Sequence, residues 1–240
     1  MRLLAFETST EACSVALYLD GEIRERFAVA PRRHAELALP WAEQLLAEAG
    51  IGKTQLDVVA VGRGPGAFTG VRLGVALAQG IALALDLPVT PVSTLQALAA
   101  GAPVVASPQR ILAAIDARMG EIYAACYQRE ANVWQVLAAE RVLPPDRLEL
   151  PGGTDWYAVG TGLGAVAGAL ASRMPERFVF RDPAALPRAA AVAALGAGAF
   201  ARGEAVAPEH VEPAYLRNHV ALTLREQQAL RAARNSGGNG

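Results

Sequence analysis

The chain has 240 residues, of which 52% are hydrophobic and 19% are charged, a composition typical of a globular protein with one large domain or two small ones. Lysine and arginine number 22 against 23 aspartate and glutamate residues, so the sequence lacks the basic excess of a protein that binds nucleic acid unaided. The apolar run at the N-terminus is too short for a signal peptide, and the longer runs are interrupted by Arg72, Gln79 and glycines, which predicts a cytoplasmic protein without a membrane span.

Three antiparallel strands and a helix are predicted at the start of the chain. The strands cover Leu3–Phe6, Cys13–Leu19 and Glu22–Ala30. An Asp20-Gly21 pair is a hairpin turn signal between the second and the third strand. The helix extends from His34 to Ala49, where apolar residues recur at helical spacing. Pro40 inside it predicts either a kink or a regular helix that starts there.

A glycine-rich turn, Gly62–Gly70, separates a predicted strand at Asp57–Val61 from a predicted helix at Val71–Leu85. Bare backbone N–H groups at the start of such a helix are suited to binding an anion. The alternative is structural, because glycines at positions 66, 70 and 74 let a helix lie close against another backbone. The turn alone does not decide between these two interpretations.

The order of predicted elements restarts after Gly101-Ala102-Pro103, which indicates a joint between two halves of similar topology. Before the joint lie a strand at Pro88–Val92 and a helix that Ser93 caps and that ends at Ala100. After it the predicted strands are Ile111–Ile115, Ile122–Tyr127, Asn132–Ala138 and Trp156–Val159. The predicted helices are Leu163–Ala171, Ala189–Arg202 and a charged, amphipathic Thr223–Arg234, and Pro208–Leu216 is predicted to be extended.

The Val71–Leu85 helix is apolar nearly all round, and such a helix must be covered on every side. The sheet covers one side, which leaves a partner protein or the His34–Ala49 helix for the other. A combination is favoured, in which the two helices pack on each other and expose a shared apolar patch.

Few residues point to catalysis or to a resident metal. The three histidines, His34, His210 and His219, have no second ligand at metal-binding spacing, and no Gly-x-Ser-x-Gly elbow is present. Three carboxylates near predicted strand ends, Glu7, Glu11 and Asp116, either hold a magnesium ion or a water or serve as turn residues. Cys13 and Cys126 are expected to be buried free thiols.

Four stretches, taken together and in order, resemble one family. They are Glu7–Leu17, Gly62–Arg72, Ala114–Glu121 and Glu212–Asn218. Over nearly the whole chain, to about Asn218, the sequence is similar to the bacterial TsaB (YeaZ) family of tRNA threonylcarbamoyladenosine biosynthesis proteins. The resemblance implies an α/β protein with the duplicated actin-like ATPase or ribonuclease H-like fold, in which two domains of mixed sheet are flanked by helices. The expected domains are 1–103 and 104–220, followed by a tail at 221–240.

The resemblance also implies partners. Proteins of this family pair with the catalytic paralogue TsaD and act with the ATPase TsaE to form threonylcarbamoyladenosine next to the anticodon of tRNAs that read codons starting with A. We therefore expect a heterodimer with TsaD, a homodimer when the chain is alone, and contact with tRNA only through the complex. No cofactor of its own is expected, and a nucleotide at the interface with TsaD is left open.

The implied pairing surface lies on the two helices of the first half. The residues predicted to bind the partner are Leu37, Trp41, Leu45, Gly70, Val71, Gly74, Val75 and Ala78. The loops that correspond to the nucleotide-binding turns of the superfamily contain Glu7, Thr8, Ser9, Gly64, Gly66, Asp116, Arg118, Gly160 and Gly162.

These loops depart from the pattern of catalytic relatives. Thr94 and Leu98 stand at the positions that match a metal-binding histidine pair of the paralogue, and Glu7 and Ser9 stand where Asp and Gly are preferred. Arg118 replaces a glycine that lets backbone approach a phosphate. An active site needs such groups convergent and pre-positioned, so no catalytic residue is predicted. The alternative hypothesis is a nucleotide-dependent kinase or ATPase of the same superfamily.

Overall fold

The computed structural model describes residues 1–105, 108–131 and 133–217. The predicted helix at 223–234, the tail at 221–240, the last residue of the 212–218 motif and the first residue of the predicted strand at 132–138 lie outside the described residues. Within the described part, the chain forms two five-stranded sheets.

The first sheet contains the three predicted antiparallel strands and two parallel ones. The strands are β1 Arg2–Glu7, β2 Ala12–Leu19, β3 Glu22–Val29, β4 Val58–Gly62 and β5 Val89–Val92, in the order β3-β2-β1-β4-β5. Strands β1, β2 and β3 are antiparallel neighbours, whereas β4 runs parallel to β1 and β5 parallel to β4. The hairpin predicted at Asp20-Gly21 is confirmed, with φ angles of 47° and 104° that suit a tight two-residue turn.

The second sheet repeats this topology. Its strands are β6 Gln109–Arg118, β7 Glu121–Glu130, β8 Val133–Leu143, β9 Trp156–Val159 and β10 Phe178–Asp182, in the order β10-β9-β6-β7-β8. Again the first three strands are antiparallel, and the last two run parallel to the first. The predicted duplication of an α/β topology is thereby confirmed.

Five helices accompany the sheets in the described residues. They are α1 His34–Glu48, α2 Phe68–Leu85, α3 Thr94–Ala100, α4 Ala165–Arg173 and α5 Ala189–Ala201. Helix α1 continues through Pro40, so the alternative of a helix that starts at this proline is wrong. The side chain of Ser93 accepts a hydrogen bond from the backbone N–H of Gln96, as predicted for a helix cap.

Helices α1 and α2 pack together on one face of the first sheet, and α5 packs on the other face, beside α3. Helix α3 also packs against β6 and β7 of the second sheet, whose opposite face is covered by α4. We call the first sheet with α1, α2 and α5 lobe one, and the second sheet with α3 and α4 lobe two. Thus α3 from the first half of the chain packs on the second sheet, and α5 from the second half packs on the first sheet.

Two details of lobe two differ from the sequence prediction. Strand β10 was not predicted, and the helix predicted at Leu163–Ala171 does not begin as a regular helix. A short 3-10 turn, Thr161–Leu163, precedes α4, and residues 166–168 have left-handed backbone angles, with φ between 51° and 77°. The segment predicted to be extended at 208–216 begins with a 3-10 turn, Pro208–His210.

Helix α2 is long and apolar enough, by length and composition alone, to cross a bilayer. Six of its residues are nevertheless buried in this structure: Gly70, Val71, Gly74, Val75, Ala78 and Ala82. They pack into the core of lobe one, and core helices of globular proteins commonly have this composition.

Candidate functional site

The end of β1 and the glycine-rich turn meet around the buried carboxylate of Glu7, which is 1% exposed. The backbone N–H of Ser9 donates to one oxygen of this carboxylate at 2.7 Å, and the hydroxyl of Thr94 donates to the other at 3.0 Å. The same Thr94 hydroxyl accepts the backbone N–H of Gly64 at 3.1 Å, and the hydroxyl of Ser9 lies 3.0 Å away. We call Glu7, Ser9, Gly64 and Thr94 the Glu7 cluster.

Burial raises the pKa of Glu7 above its usual value, because removal from water disfavours the charged form. Hydrogen bonds from Ser9 and Thr94 lower this pKa in turn, but burial has the larger effect. The Glu7 cluster is therefore a buried polar network where lobe one meets the start of α3, and the carboxyl group serves there as a hydrogen-bond acceptor for the chain itself.

The glycines of the turn permit close packing against the segment after β1. A Cβ added to Gly66 would collide with the carbonyl oxygen of Ser9, and one added to Gly70 would collide with the carbonyl oxygen of Thr8. The hydroxyl of Thr8 also donates to the carbonyl of Gly70 at 2.7 Å, and the backbone N–H of Ala67 donates to the backbone carbonyl of Ser9 at 2.7 Å. This geometry confirms the structural interpretation of the glycines, since protein atoms occupy the space beside the turn.

The two positions that correspond to a histidine pair in the paralogue are filled by packing residues. Thr94 is fully buried in the Glu7 cluster. Leu98, which is 1% exposed, packs against the second sheet, and a Cβ on Gly160 would collide with its side chain. In the part of the chain that the structure describes, no group of three or more histidine, cysteine, aspartate or glutamate side chains is placed to hold a metal ion.

The second nucleotide-type loop lies at the end of β6. The backbone N–H of Arg118 donates to the carboxylate of Asp116 at 2.7 Å, and its guanidinium pairs with the same carboxylate at 3.0 Å. The backbone N–H of Asp116 in turn donates to the hydroxyl of Thr161 at 3.1 Å. Gly160 and Gly162 pack on the backbone of β6 at Ala114. The carboxylate of Asp116 is thus paired with the largely exposed side chain of Arg118.

A cleft of about 960 Å³ separates the two loops. Of the residues predicted for the loops, Ser9, Gly66, Asp116 and Arg118 line it, together with Glu11 and Thr161. Glu7, Thr8, Gly64, Gly160 and Gly162 do not line it. The structure therefore brings the two loops to one cleft but keeps the buried carboxylate of Glu7 out of it.

The residues predicted to bind a partner divide into two groups. Leu37 and Trp41 of α1 are partly exposed, whereas the other six, Leu45, Gly70, Val71, Gly74, Val75 and Ala78, are buried within lobe one. The prediction that these six form an exposed surface is wrong, because the small-residue ridge of α2 faces β1 and β4 rather than solvent. A Cβ on Gly74 would lie 2.7 Å from the hydroxyl of Thr8.

The exposed side of the same two helices carries apolar residues together with charged ones such as Glu43 and Arg72. We call the exposed apolar residues of α1 and α2 the α1–α2 face, and it consists of Leu39, Ala76, Gly80, Leu83 and Ala84. Leu83 is 62% exposed and Leu39 is 44% exposed. Among the described residues, no atom outside the helix's own backbone lies within 4 Å of the position of a Cβ on Gly80, so a second helix has room to approach closely there.

Two links between the lobes were not predicted from the sequence. Glu140 of β8 pairs with Arg63 of the glycine-rich turn at 3.0 Å and accepts a hydrogen bond from Ser93. Arg217 pairs with Glu121 of β7 at 2.6 Å. Arg217 lies in one of the four matching stretches, but nothing in the local sequence indicates a partner 96 residues away.

Comparison with known proteins gives concordant results. The family model described as TsaD, tRNA N6-adenosine threonylcarbamoyltransferase, matches residues 28–223. The chain is 44% identical to the tRNA threonylcarbamoyladenosine biosynthesis protein TsaB of Escherichia coli, over 92% of this chain and 96% of that protein. It is 38% identical to the protein of the same name in Haemophilus influenzae, over 92% and 95%. The solved structure of YeaZ from Pseudomonas aeruginosa has a TM-score of 0.81 at 44% identity and covers 90% of this chain and 99% of that chain.

Proposed function

Because the chain belongs to the TsaB family of tRNA threonylcarbamoyladenosine biosynthesis proteins, we propose that it acts in this biosynthesis as a non-catalytic subunit that binds and activates the transferase TsaD. In this role it supplies a docking face and takes no part in bond making. It acts in the cytoplasm with TsaD and the ATPase TsaE, and it meets tRNA only through that complex. A nucleotide, where one is bound, lies at the interface with TsaD.

The Glu7 cluster is the observation that carries the non-catalytic role. A nucleotide-binding turn presents free backbone N–H groups and a carboxylate that is available to a metal ion. Here the carboxylate of Glu7 accepts hydrogen bonds from Ser9 and Thr94, and the turn packs on the carbonyl oxygens of Thr8 and Ser9. At the second loop, Arg118 pairs with Asp116. These contacts favour a folded scaffold over a phosphate-binding site.

The α1–α2 face supports the docking role. It presents exposed Leu39 on α1, and on α2 exposed Leu83 with the small residues Ala76 and Gly80, and small residues allow helices to pack at short distance. A stable pair requires about 1,200 Å² of buried surface or more, which two helices of this length can supply. The same face, when TsaD is absent, pairs two copies of this chain.

The test is the mass of the complex by light scattering on a size-exclusion column. The wild-type chain mixed with its cognate TsaD should give a heterodimer peak and lose its homodimer peak. Leu83→Glu places a charge in the α1–α2 face, and we expect it to abolish both peaks and the threonylcarbamoyl transfer of the reconstituted complex, because an unpaired buried charge costs several kcal/mol or more.

Val179→Glu provides the matched control. Val179 lies on β10 of lobe two and is 56% exposed, close to the 62% of Leu83, so the same change is made at an apolar surface position of the other lobe. This variant should pair with TsaD like the wild type. Two unmixed peaks from the wild-type chain and TsaD would overturn the proposed role.

A nucleotide-dependent kinase or ATPase is the second candidate, and the cleft of about 960 Å³ is the observation that favours it. Ser9, Gly66, Asp116 and Thr161 face this space. Isothermal titration of the isolated chain with magnesium and ATP separates the two candidates. Tight binding followed by turnover would replace the scaffold role with an enzymatic one.

A further inference from the structure

The chain after α5 is fastened to lobe one before it reaches the cleft. Val206 exchanges backbone hydrogen bonds of 2.8 and 2.9 Å with Val89 of β5. The side-chain amide of Gln79 on α2 donates to the carbonyls of Pro208 and Val211 at 3.0 and 3.2 Å. The side chain of Val211 lies in the core of lobe one and is 3% exposed. We call Val206–Arg217 the C-terminal strap.

The next part of the strap forms a wall of the cleft. The backbone N–H of Ala214 donates to the carbonyl of Arg63 at 2.8 Å. The hydroxyl of Tyr215 accepts a hydrogen bond of 2.8 Å from Arg72, whose guanidinium also lies 3.7 Å from the ring centre of Phe68. Residues 214–217 all line the cleft. Up to Tyr215, these contacts are made with lobe one.

Arg217 then crosses to lobe two. Its guanidinium donates to the carbonyls of Ala117 and Arg118 at 3.1 and 3.4 Å and pairs with the carboxylate of Glu121 at 2.6 Å. These acceptors lie at the end of β6 and the start of β7, and the side chain of Arg217 is only 16% exposed. Within the described strap, the hydrogen bonds to lobe two all come from this one side chain.

We propose that the C-terminal strap fixes the separation of the two lobes across the cleft, with Arg217 as the latch that holds lobe two. The planar guanidinium donates in several directions at once, so a single arginine holds two carbonyls and a carboxylate. Charge-assisted hydrogen bonds of low exposure are stronger than neutral ones. Release of Arg217 therefore frees lobe two from the cleft wall while the strap stays bound to lobe one.

Arg217 and its acceptors on lobe two lie outside the α1–α2 face, so the latch is tested separately from pairing with TsaD. The ion pair between Arg63 and Glu140 also joins the lobes, and the backbone carbonyl of Arg63 holds Ala214 of the strap. Two ion pairs, Arg63–Glu140 and Arg217–Glu121, thus connect the glycine-rich turn and the strap to lobe two.

The test is an interlobe distance measured by double electron–electron resonance on the full chain. Spin labels are attached at Lys53→Cys, in a 3-10 turn of lobe one, and at Gln135→Cys, on β8 of lobe two, both of which are exposed. The native Cys13 and Cys126 are buried, and burial raises the pKa of these thiols to about 11 and about 12, so they do not take the label. We expect one narrow distance distribution.

Arg217→Ala should broaden this distribution and shift it to longer distances. It should also speed amide hydrogen exchange in residues 117–121 by about tenfold, a factor that corresponds to about 1.4 kcal/mol. Glu121→Gln removes the ion pair but leaves both carbonyl acceptors in place, and it should give a smaller effect of the same sign. This second variant provides the test in the event that Arg217→Ala does not fold.

Arg202→Ala is the matched control, because it removes an exposed ion pair with Glu204 that stays within lobe one. Its distance distribution should superimpose on that of the wild type. If Arg217→Ala, or Glu121→Gln where Arg217→Ala does not fold, also superimposes on the wild type, the latch is refuted, whatever the chain does with TsaD.

Discussion

Glu7 is the residue whose environment in the structure differs most from the one that the sequence suggests. In the sequence it ends a short apolar run and begins a polar turn, which suggests a group open to solvent or metal. In the structure it is buried beneath Thr94, a residue 87 positions away. No local pattern predicts this contact, because it depends on how β1 and α3 are brought together. By contrast, Ser93 was correctly predicted as a cap, since a cap involves only the next three residues.

The raised pKa of Glu7 has a consequence for stability. The folded state binds this proton more tightly than the unfolded chain does, so the free energy of unfolding falls as the pH rises from the usual glutamate pKa through the raised one. Glu7→Gln keeps the acceptor for the N–H of Ser9 and removes the titration. We expect the variant to gain stability relative to the wild type as the pH rises above the usual pKa of a glutamate, about 4.3.

Urea unfolding followed by circular dichroism at several pH values checks this prediction. Glu43→Gln, at an exposed position of α1, is the control and should show no such trend. A difference between Glu7→Gln and the wild type that stays constant with pH would contradict the assignment of a buried, titrating carboxyl group.

At the scale of single elements, the two faces of α2 offer the sharpest test. Gly70 and Gly80 lie in the same helix, but a Cβ on Gly70 would collide with the backbone carbonyl of Thr8, whereas a Cβ on Gly80 meets no atom of the rest of the described chain within 4 Å. Gly70→Ala should therefore destabilise the chain by roughly 1–3 kcal/mol. Gly80→Ala should stabilise it by about 0.5–1 kcal/mol, because alanine favours the helix.

Thermal and urea unfolding of the two variants give the sign of each change in the free energy of unfolding directly. The substitution, the helix and the residue type are the same, so each variant serves as the control for the other. Equal effects would show that the ridge of small residues does not face the segment after β1. This pair also separates the two sequence interpretations of the glycines, since only the packing interpretation requires opposite signs.

The elements that were predicted incorrectly have weak or ambiguous local signals. Strand β10 is short, lies at a sheet edge and is only partly buried, so its alternating Phe178 and Phe180 were not recognised. The start of α4 contains glycines and has left-handed angles at Val166 and Ala167, which apolar periodicity does not reveal. Long elements such as α2 and β7 were placed within a few residues, because their patterns are regular over more than one turn or pleat.

At the scale of the whole molecule, the exchange of helices between the lobes was not predictable from element order. The sequence joint at Gly101-Ala102-Pro103 separates two copies of one topology, and the guanidinium of Arg129 on β7 holds the carbonyls of Ala102 and Pro103. However, α5 follows the joint and packs on the sheet that precedes it. Which sheet a helix covers is decided by tertiary packing, since α5 is apolar over nearly its whole surface and has no distinct polar face. The domain boundaries 1–103 and 104–220 therefore stay a prediction about sequence repeats.

This exchange predicts that residues 1–103 do not fold alone. Without α5, one face of the first sheet would expose Leu3, Ala5, Val58 and Ala60, all of which are 0% exposed in the whole chain, and exposed apolar surface costs about 25 cal/mol per Å². We expect the 1–103 fragment to aggregate on its own and to form a soluble complex when it is expressed together with 104–240. In the intact chain, Ala193→Glu on the buried side of α5 should destabilise strongly, by roughly 3 kcal/mol or more, whereas Ala201→Glu at an exposed position should have little effect. A soluble, cooperatively unfolding 1–103 fragment would instead show that the first sheet is stable without the helix from the second half.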